Sequence, residues 1–425
     1  MSSKVKSSAA KGNGSALVPK RRFPEFQGAP AWEPVSLRRA SVPVSERVGE
    51  RKLTPISISA GIGFVPQAEK FGRDISGNQY QLYTLVRDGD FVFNKGNSLK
   101  FPQGCIYLLQ GWGQVAAPNV FIAFRLKDGY SNGFFQNCFE QNQHGQQLKK
   151  HITSGARSNG LLNISKETFF NIEIPAPNLS EQQKIADCLA SADALIEAQG
   201  RKVEALRTHK KGLMQQLFPQ EGETQPRLRF PEFEGAEEWQ IKPLAEVATY
   251  ENGKAYEQDI VENGKYIVVN SRFISTEGAV RKYTNADYLT ANAGDVLMVL
   301  SDLPKGRALA KCYFVEANDR YAVNQRICRL KSKRLDSKFL FFILDRSPNL
   351  LAYDDLQTQT HLSKGNVLEC PLCIPPTKAE QQRIADCLTS IDDLIAAETR
   401  KLHMLKTHKK GLMQNLFPQV GERDA

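Results

Sequence analysis

The sequence predicts an α+β protein in which two mixed α/β domains are joined by two long coiled-coil helices, as a pseudo-twofold repeat of one two-part unit. Three observations predict this. Residues 181–220 and 380–419 read EQQKIADCLASADALIEAQGRKVEALRTHKKGLMQQLFPQ and EQQRIADCLTSIDDLIAAETRKLHMLKTHKKGLMQNLFPQ, identical without a gap at 28 of 40 positions. A shorter repeat, Arg22-Phe-Pro-Glu-Phe-Gln-Gly-Ala29, recurs as Arg229-Phe-Pro-Glu-Phe-Glu-Gly-Ala236, with Trp32 and Trp239 following in register. The segments between, about 30–177 and 239–376, look unlike each other. A period near 200 is far too long for a solenoid unit, so this is a duplicated module with constant spacers and variable domains.

The repeats divide the chain into a basic tail (1–22), a first domain (23–177), a first helix (178–220), a linker (221–238), a second domain (239–376), a second helix (377–419) and a short tail (420–425). A length of 425 residues suits two or three domains, each with its own core. The first 22 residues hold six basic and no acidic side chains and lack an apolar stretch. They read as a disordered arm and not as a secretory signal. No apolar run is long enough for a membrane span, so no membrane partner is expected. The net charge of +10 invites a nucleic-acid reading, although six of those charges sit in the tail.

Eight cysteines in this length do not make a disulfide scaffold. Cys188 and Cys387 share one repeat position among apolar neighbours and read as buried free thiols. Cys370-Pro-Leu-Cys373 is a lone pair without the second pair or the spaced histidines of a structural zinc site, so no metal is expected.

Each constant segment reads as one helix with an apolar seam. Positions a and d fall at Ile185, Leu189, Ala192, Ile196, Gln199, Val203, Leu206, Lys210, Leu213 and Leu217. The second copy gives Ile384, Leu388, Ile391, Ile395, Glu398, Leu402, Leu405, Lys409, Leu412 and Leu416. Five heptads with polar breaks at the same places are a coiled-coil pattern, and the apolar members are the predicted helix-pair interface. Asn178 and Thr377 are aligned N-caps, with Glu181 and Glu380 three residues on as in a capping box. Phe218-Pro219 and Phe417-Pro418 end the pattern. The nearest partner for each seam is the other copy, which would place Lys210 and Lys409 in a wet or paired layer. A homodimeric coiled coil is the alternative.

The variable domains open alike after the tryptophan and close alike, through Phe170-Asn-Ile-Glu-Ile-Pro175 and Leu368-Glu-Cys-Pro-Leu-Cys-Ile-Pro375. Each carries a strand signal after Gly-Asp, at Asp90-Phe-Val-Phe93 and Asp295-Val-Leu-Met-Val-Leu300. Polar clusters punctuate both. Lys95, Asn97, Ser154, Arg157 and Asn159 stand out in the first, and Asn270, Arg272, Lys305, Arg307, Gln325, Arg326, Thr360 and His361 in the second. Arg forks onto guanine, Asn and Gln onto adenine, and Ser, Thr and Lys reach phosphate, so these are the candidate DNA contacts. For any one of them a solvated turn is the plainer reading.

No nucleotide-binding GxxxxGK[ST], no HExxH, no GxSxG and no Asn-Pro-Pro-Tyr tetrapeptide occurs. Gly61-Ile-Gly63 and Gly111-Trp-Gly113 lack the third glycine of a dinucleotide fingerprint. His209 and His408 are a repeat pair on the helices. No catalytic residue is assigned, so catalysis would have to come from partners.

The arrangement resembles the specificity subunit of type I restriction–modification systems. Ile174-Pro-Ala-Pro-Asn-Leu-Ser-Glu-Gln-Gln-Lys-Ile-Ala186 and Ile374-Pro-Pro-Thr-Lys-Ala-Glu-Gln-Gln-Arg-Ile-Ala385 carry the resemblance, together with the Arg-Phe-Pro-Glu-Phe openings. The resemblance implies two target recognition domains, each reading one half of a bipartite double-stranded DNA target, on two antiparallel helices that set the spacing. It implies two modification (methyltransferase) subunits docked on this frame, restriction subunits beside them, and a bacterial or archaeal cytoplasm. It implies no cofactor in this chain, with S-adenosylmethionine, ATP and magnesium held by the partners. The basic tail is no part of the family pattern. A stand-alone DNA-binding regulator or anti-restriction decoy, and a coiled-coil scaffold, remain alternatives.

Overall fold

The computed structural model describes residues 17–96, 101–152, 162–220, 222–302, 308–353 and 361–418. They form two compact units, Met1–Gln199 with Lys401–Ala425, and Gly200–Arg400. The division passes through both constant segments, so each unit holds one variable segment and part of each long helix.

The first unit contains strands β1 (Glu33–Ser36), β2 (Ser41–Pro43), β3 (Thr54–Ser59), β4 (Gly63–Pro66), β5 (Thr84–Arg87), β6 (Asp90–Asn94), β7 (Cys105–Leu108), β8 (Gln114–Ala117), β9 (Ile122–Leu126) and β10 (Glu173–Ala176). β1 pairs with β10, one sheet runs β2-β9-β6-β7, and another runs β4-β3-β8-β5 with β3 parallel to β8. The second unit contains β11 (Gln240–Pro243), β12 (Ala248–Asn252), β13 (Ile260–Val261), β14 (Tyr266–Val269), β15 (Tyr283–Thr284), β16 (Thr290–Ala291), β17 (Val296–Val299), β18 (Cys312–Phe314), β19 (Tyr321–Val323), β20 (Ile327–Ser332) and β21 (Pro371–Ile374). Here β11 pairs with β21, one sheet runs β12-β20-β17-β18, and another runs β13-β15-β14-β19-β16 with β14 parallel to β19. Two dissimilar sequences thus share one plan: a closing ribbon, a four-stranded antiparallel sheet, and a second sheet around one parallel pair.

The shared Gly-Asp explains part of this. Gly89 and Gly294 take φ of +93° and +90°, which only glycine adopts at little cost. The next carboxylate closes the turn into the central strand. Asp90 Oδ2 accepts from Arg87 N and Asp295 Oδ2 from Asn292 N, both at 2.8 Å. Arg125 of β9 pairs with Asp90 at 2.6 Å, and Arg329 of β20 approaches Asp295 at 4.0 Å.

The long helices run Leu179–Leu217 and Lys378–Leu416, 39 residues each. Asn178 Oδ1 accepts from Glu181 N at 2.9 Å and Thr377 Oγ1 from Glu380 N at 3.3 Å, so both expected N-caps form. In the first unit Ile185 and Leu189 share a core with Leu416, Leu412 and Met413. In the second, Leu217 and Leu213 share one with Ile384 and Leu388. The helices therefore pair within the chain, and the direction is antiparallel. Moving forward from Lys202 to Lys210 moves the ion-pair partner back from Glu398 to Asp392. The lysines do not share a layer with each other. Antiparallel register sets Lys210 against Asp392 at 2.6 Å and Lys409 against Asp193 at 2.7 Å, and these two aspartates are repeat equivalents.

Among the described residues no helix is long and apolar enough to cross a membrane, and no cluster of three metal-ligating side chains occurs. All eight cysteines are free thiols, and Cys188 and Cys387 are half-buried where full burial was expected.

His144 is 2% exposed between Phe93 and Phe139, and burial lowers its pKa from the usual 6.5 to about 4. The unfolded chain therefore binds a proton that the folded chain refuses. Stability is fully present above about pH 6.5 and falls as pH drops toward 4. Unfolding by urea at pH 7 and pH 5 should show a loss of about 2 kcal/mol from this site. His144→Phe should remove that part of the pH dependence, and an unchanged pH slope would refute the assignment.

Candidate nucleic-acid interface

The constant residues build a repeated anchor. Arg22 forks onto Glu181, Nε to Oε1 at 2.8 Å and Nη2 to Oε2 at 2.7 Å, and Trp32 Nε1 donates to Glu181 Oε1 at 3.3 Å. Arg229, Glu380 and Trp239 repeat the arrangement at 2.7, 2.8 and 3.2 Å. Two further guanidinium hydrogens go to backbone carbonyls, Ala29 and Pro30 in one copy and Ala236 and Glu237 in the other. A bidentate Arg–carboxylate pair with further donors held by backbone carbonyls is the geometry in which a buried ion pair holds its place.

The neighbouring glutamine hooks the domain. Gln182 Oε1 accepts from Ser131 N at 3.0 Å, and Gln381 Oε1 from Asp336 N at 2.9 Å. Ser131 and Asp336 are the N-caps of the helices Asn132–Glu140 and Ser337–Leu344, which lie against the sheets. Phe417 packs edge-on to Trp32, and Phe218 edge-on to Trp239. Each domain is therefore gripped by the start of one long helix and the end of the other. Sequence reading gave Glu181 and Glu380 only a capping role. The signal that could have found the anchor was there: the repeat conserves Arg and Trp outside the helices, and a repeated charge beside a repeated tryptophan needs a buried partner.

In the second unit the described candidates converge at one end of the β12-β20-β17 sheet. Asn324 N donates to Val269 O at 3.1 Å, beside Asn270. Leu300 N donates to Arg326 O at 2.9 Å, and Leu362 N to Leu300 O at 2.8 Å, while Ser301 bridges to His361. Arg272, Gln325, Arg326 and His361 are exposed. Asn270 Oδ1 caps the helix Ser271–Ser275 by accepting from Phe273 N at 2.9 Å. Gln325 and Asn324 both donate to Glu257 Oε1 at 3.2 Å, and the Asn324 amide holds that carboxyl below its usual range. Lys254, absent from the predicted set, bridges to Asn324 in this cluster. Gly253 permits that approach, because a methyl there would overlap the Asn324 carbonyl oxygen. Lys364, also absent from the predicted set, has its ammonium 5.8 Å from the Tyr250 ring centre. Neither lysine lies in a motif that marks it.

In the first unit Lys95 directly follows β6, and Leu162 N donates to its carbonyl at 2.9 Å, the same relation as Leu362 to Leu300. Asn97, Ser154, Arg157, Asn159, Lys305, Arg307 and Thr360 lie outside the described residues. The predicted helix-pair residues Ile185, Leu189, Ile196, Val203, Leu206, Leu213, Leu217, Ile384, Leu388, Ile391, Ile395, Leu402, Leu405, Leu412 and Leu416 are all buried or half-buried, whereas Leu195, Leu394 and Met404 outside the seam are exposed.

Comparison with known proteins agrees with this arrangement. The family model for the type I restriction modification DNA specificity domain matches residues 84–207 and 236–407. The chain is 28% identical over 285 residues to the type I restriction enzyme MjaVIII specificity subunit of Methanocaldococcus jannaschii, covering 63% of this chain and 66% of that protein. It is 23% identical over 265 residues to the putative type I restriction enzyme MjaX specificity subunit of the same organism, covering 60% of each. The matches thus span just under two thirds of the length of these relatives. In fold, the chain is similar to the type I restriction-modification system S subunit from M. genitalium, with a TM-score of 0.59, 13% identity, and coverage of 95% of this chain and 100% of that one. A second structure, described as showing complex assembly and conformational transition of the type I R-M system, gives a TM-score of 0.52, 18% identity, and coverage of 91% and 98%. With most of its length matched by the family model, and the first two thirds or so of each constant segment inside the matched regions, this chain belongs to the type I restriction modification DNA specificity domain family.

Proposed function

We propose that the chain is the DNA sequence-recognition subunit of a type I restriction–modification complex. Each variable domain, 23–177 and 239–376, reads one half of a bipartite target, and the paired helices act as spacer and docking frame. The observation that carries this reading is the contrast between anchor and cargo. The Arg–Glu–Trp anchor recurs bond for bond. The domains it holds share one plan and differ in the residues at the sheet end where the candidates gather. Two unlike surfaces in one repeated holder suit two half-sites of different sequence. Exposed Arg supplies the forked donors that a guanine edge accepts, exposed Gln the donor–acceptor pair that an adenine edge matches, and the lysines supply phosphate contacts.

The chain itself carries out no chemical step in this reading. Two modification subunits hold S-adenosylmethionine and methylate the DNA, and restriction subunits use ATP and magnesium. Exchanging residues 30–177 for the first domain of another family member should change one half of the methylated target and leave the other. Methylome sequencing reads both halves at once, and a target altered in both would refute two independent readers. Co-purification of a methyltransferase separates this reading from a stand-alone regulator.

A further inference from the structure

The hairpin joining β3 to β4 carries an apolar side chain at its tip. Ile62 is 77% exposed, the highest among the described exposed large apolar residues. It stands between Gly61 and Gly63, at φ of +86° and +100°. Ile62 N donates to Ser59 O at 3.0 Å, closing a tight turn with a positive φ at its third residue, where glycine is needed. Gly61 N donates to the Tyr107 hydroxyl at 2.7 Å, which ties the tip to β7. The stem is fixed by pairing of Ser59 with Gly63 and Ile58 with Phe64. A β-branched side chain on a braced tip has few rotamers to lose on contact. Turn chemistry itself calls for Gly, Asn, Asp, Ser or Pro, so isoleucine serves no local purpose there.

The root of the hairpin lies beside the end of β6, the strand that leads into the candidate Lys95. Asn94 Nδ2 donates to Ile58 O at 3.2 Å, which sets the hairpin root next to Asn94-Lys95. In the second unit the corresponding parallel-paired strand, β14, runs into Asn270-Ser271-Arg272. The Ile62 tip and exposed Arg272 therefore follow the same strand of the shared plan, one apolar and one cationic.

We propose that Ile62 is an apolar probe of duplex DNA, pressed on the apolar surface of one base in the half-site of the first domain. That surface is either a thymine methyl in the groove or the face of a base at an opened step. The proposal rests on the DNA-reading role above.

The test uses the full chain assembled with the modification subunits that co-purify with it, on a duplex carrying its mapped target. Ile62→Ala should weaken binding about tenfold, Ile62→Leu should stay near wild type, and melting should be unchanged in both. The loss should trace to one position. Thymine-to-uracil replacement there reproduces it if the contact is a methyl. A 2-aminopurine signal present with wild type and absent with Ile62→Ala marks an opened step. Unchanged affinity and selectivity of Ile62→Ala, or a loss spread evenly over all positions, overturns the proposal and leaves DNA reading standing. Loss of modification-subunit binding with unaltered DNA affinity overturns it too, because the tip is then a protein contact. A wild-type complex that binds no duplex sinks both readings.

Discussion

Glu181→Ala is expected to destabilise the first unit by about 3–5 kcal/mol, because it strips the partner from a buried guanidinium. Arg22 and Glu181 have side chains only 9% and 1% exposed, and Trp32 Nε1 shares the same carboxylate oxygen. Deleting the carboxylate leaves a cation and an indole N–H facing apolar surroundings. Arg22→Ala removes the other side and should also destabilise, since Glu181 is then the stranded charge. The double variant should cost less than the sum of the two, because neither charge is left unpaired. Glu380→Ala should act alike in the second unit through Arg229 and Trp239. Urea unfolding of the four variants decides it. A loss below about 1 kcal/mol for Glu181→Ala would place the pair among ordinary surface ion pairs.

Leu388→Asp should be still more damaging. Leu388 is fully buried in the core that includes Leu217, Trp239 and Phe339. The change forfeits about 2–3 kcal/mol of apolar burial and adds a carboxylate with no partner, for a total of several kcal/mol. Leu394→Asp, six residues along the same helix, is the control. Leu394 is 44% exposed and lies off the seam, so its replacement should change stability by no more than about 0.5 kcal/mol. Equal effects of the two variants on thermal melting would refute the seam as the source of the helix pairing.

The helices were legible because their determinants are local and periodic. A seam repeating every seven residues, Asn178 and Thr377 as caps and a proline after each end specify start, stop and face, and the observed spans Leu179–Leu217 and Lys378–Leu416 follow. The strands after Gly-Asp were legible for the same reason, and the structure adds why: a positive φ and a short carboxylate close the turn before each within four residues. The role of Glu181 was not. A glutamate three residues after an N-cap has a local use, and only the fold brings Arg22, 159 residues away in sequence, onto its carboxylate. Asn270 carries a use the sequence reading did not give it, since its side-chain carbonyl caps its own helix.

By itself, then, the sequence determined that the chain is a duplicated module, that its constant segments are capped amphipathic helices, and that the two variable segments are separate α/β domains. These follow from composition, period and turn chemistry, which act over short distances. Only the tertiary structure decided that the helices pair antiparallel, since an a/d pattern reads the same in either direction. The antiparallel register gives each seam lysine an aspartate, Asp392 for Lys210 and Asp193 for Lys409, where a parallel one would set like charges side by side. The tertiary structure alone also showed that two dissimilar domains share one plan, with β13 added in the second, because pairing depends on contacts between residues far apart in the chain. And it alone gathered Gln325, Arg326 and His361 at one sheet end, where side chains from separate segments face the solvent together.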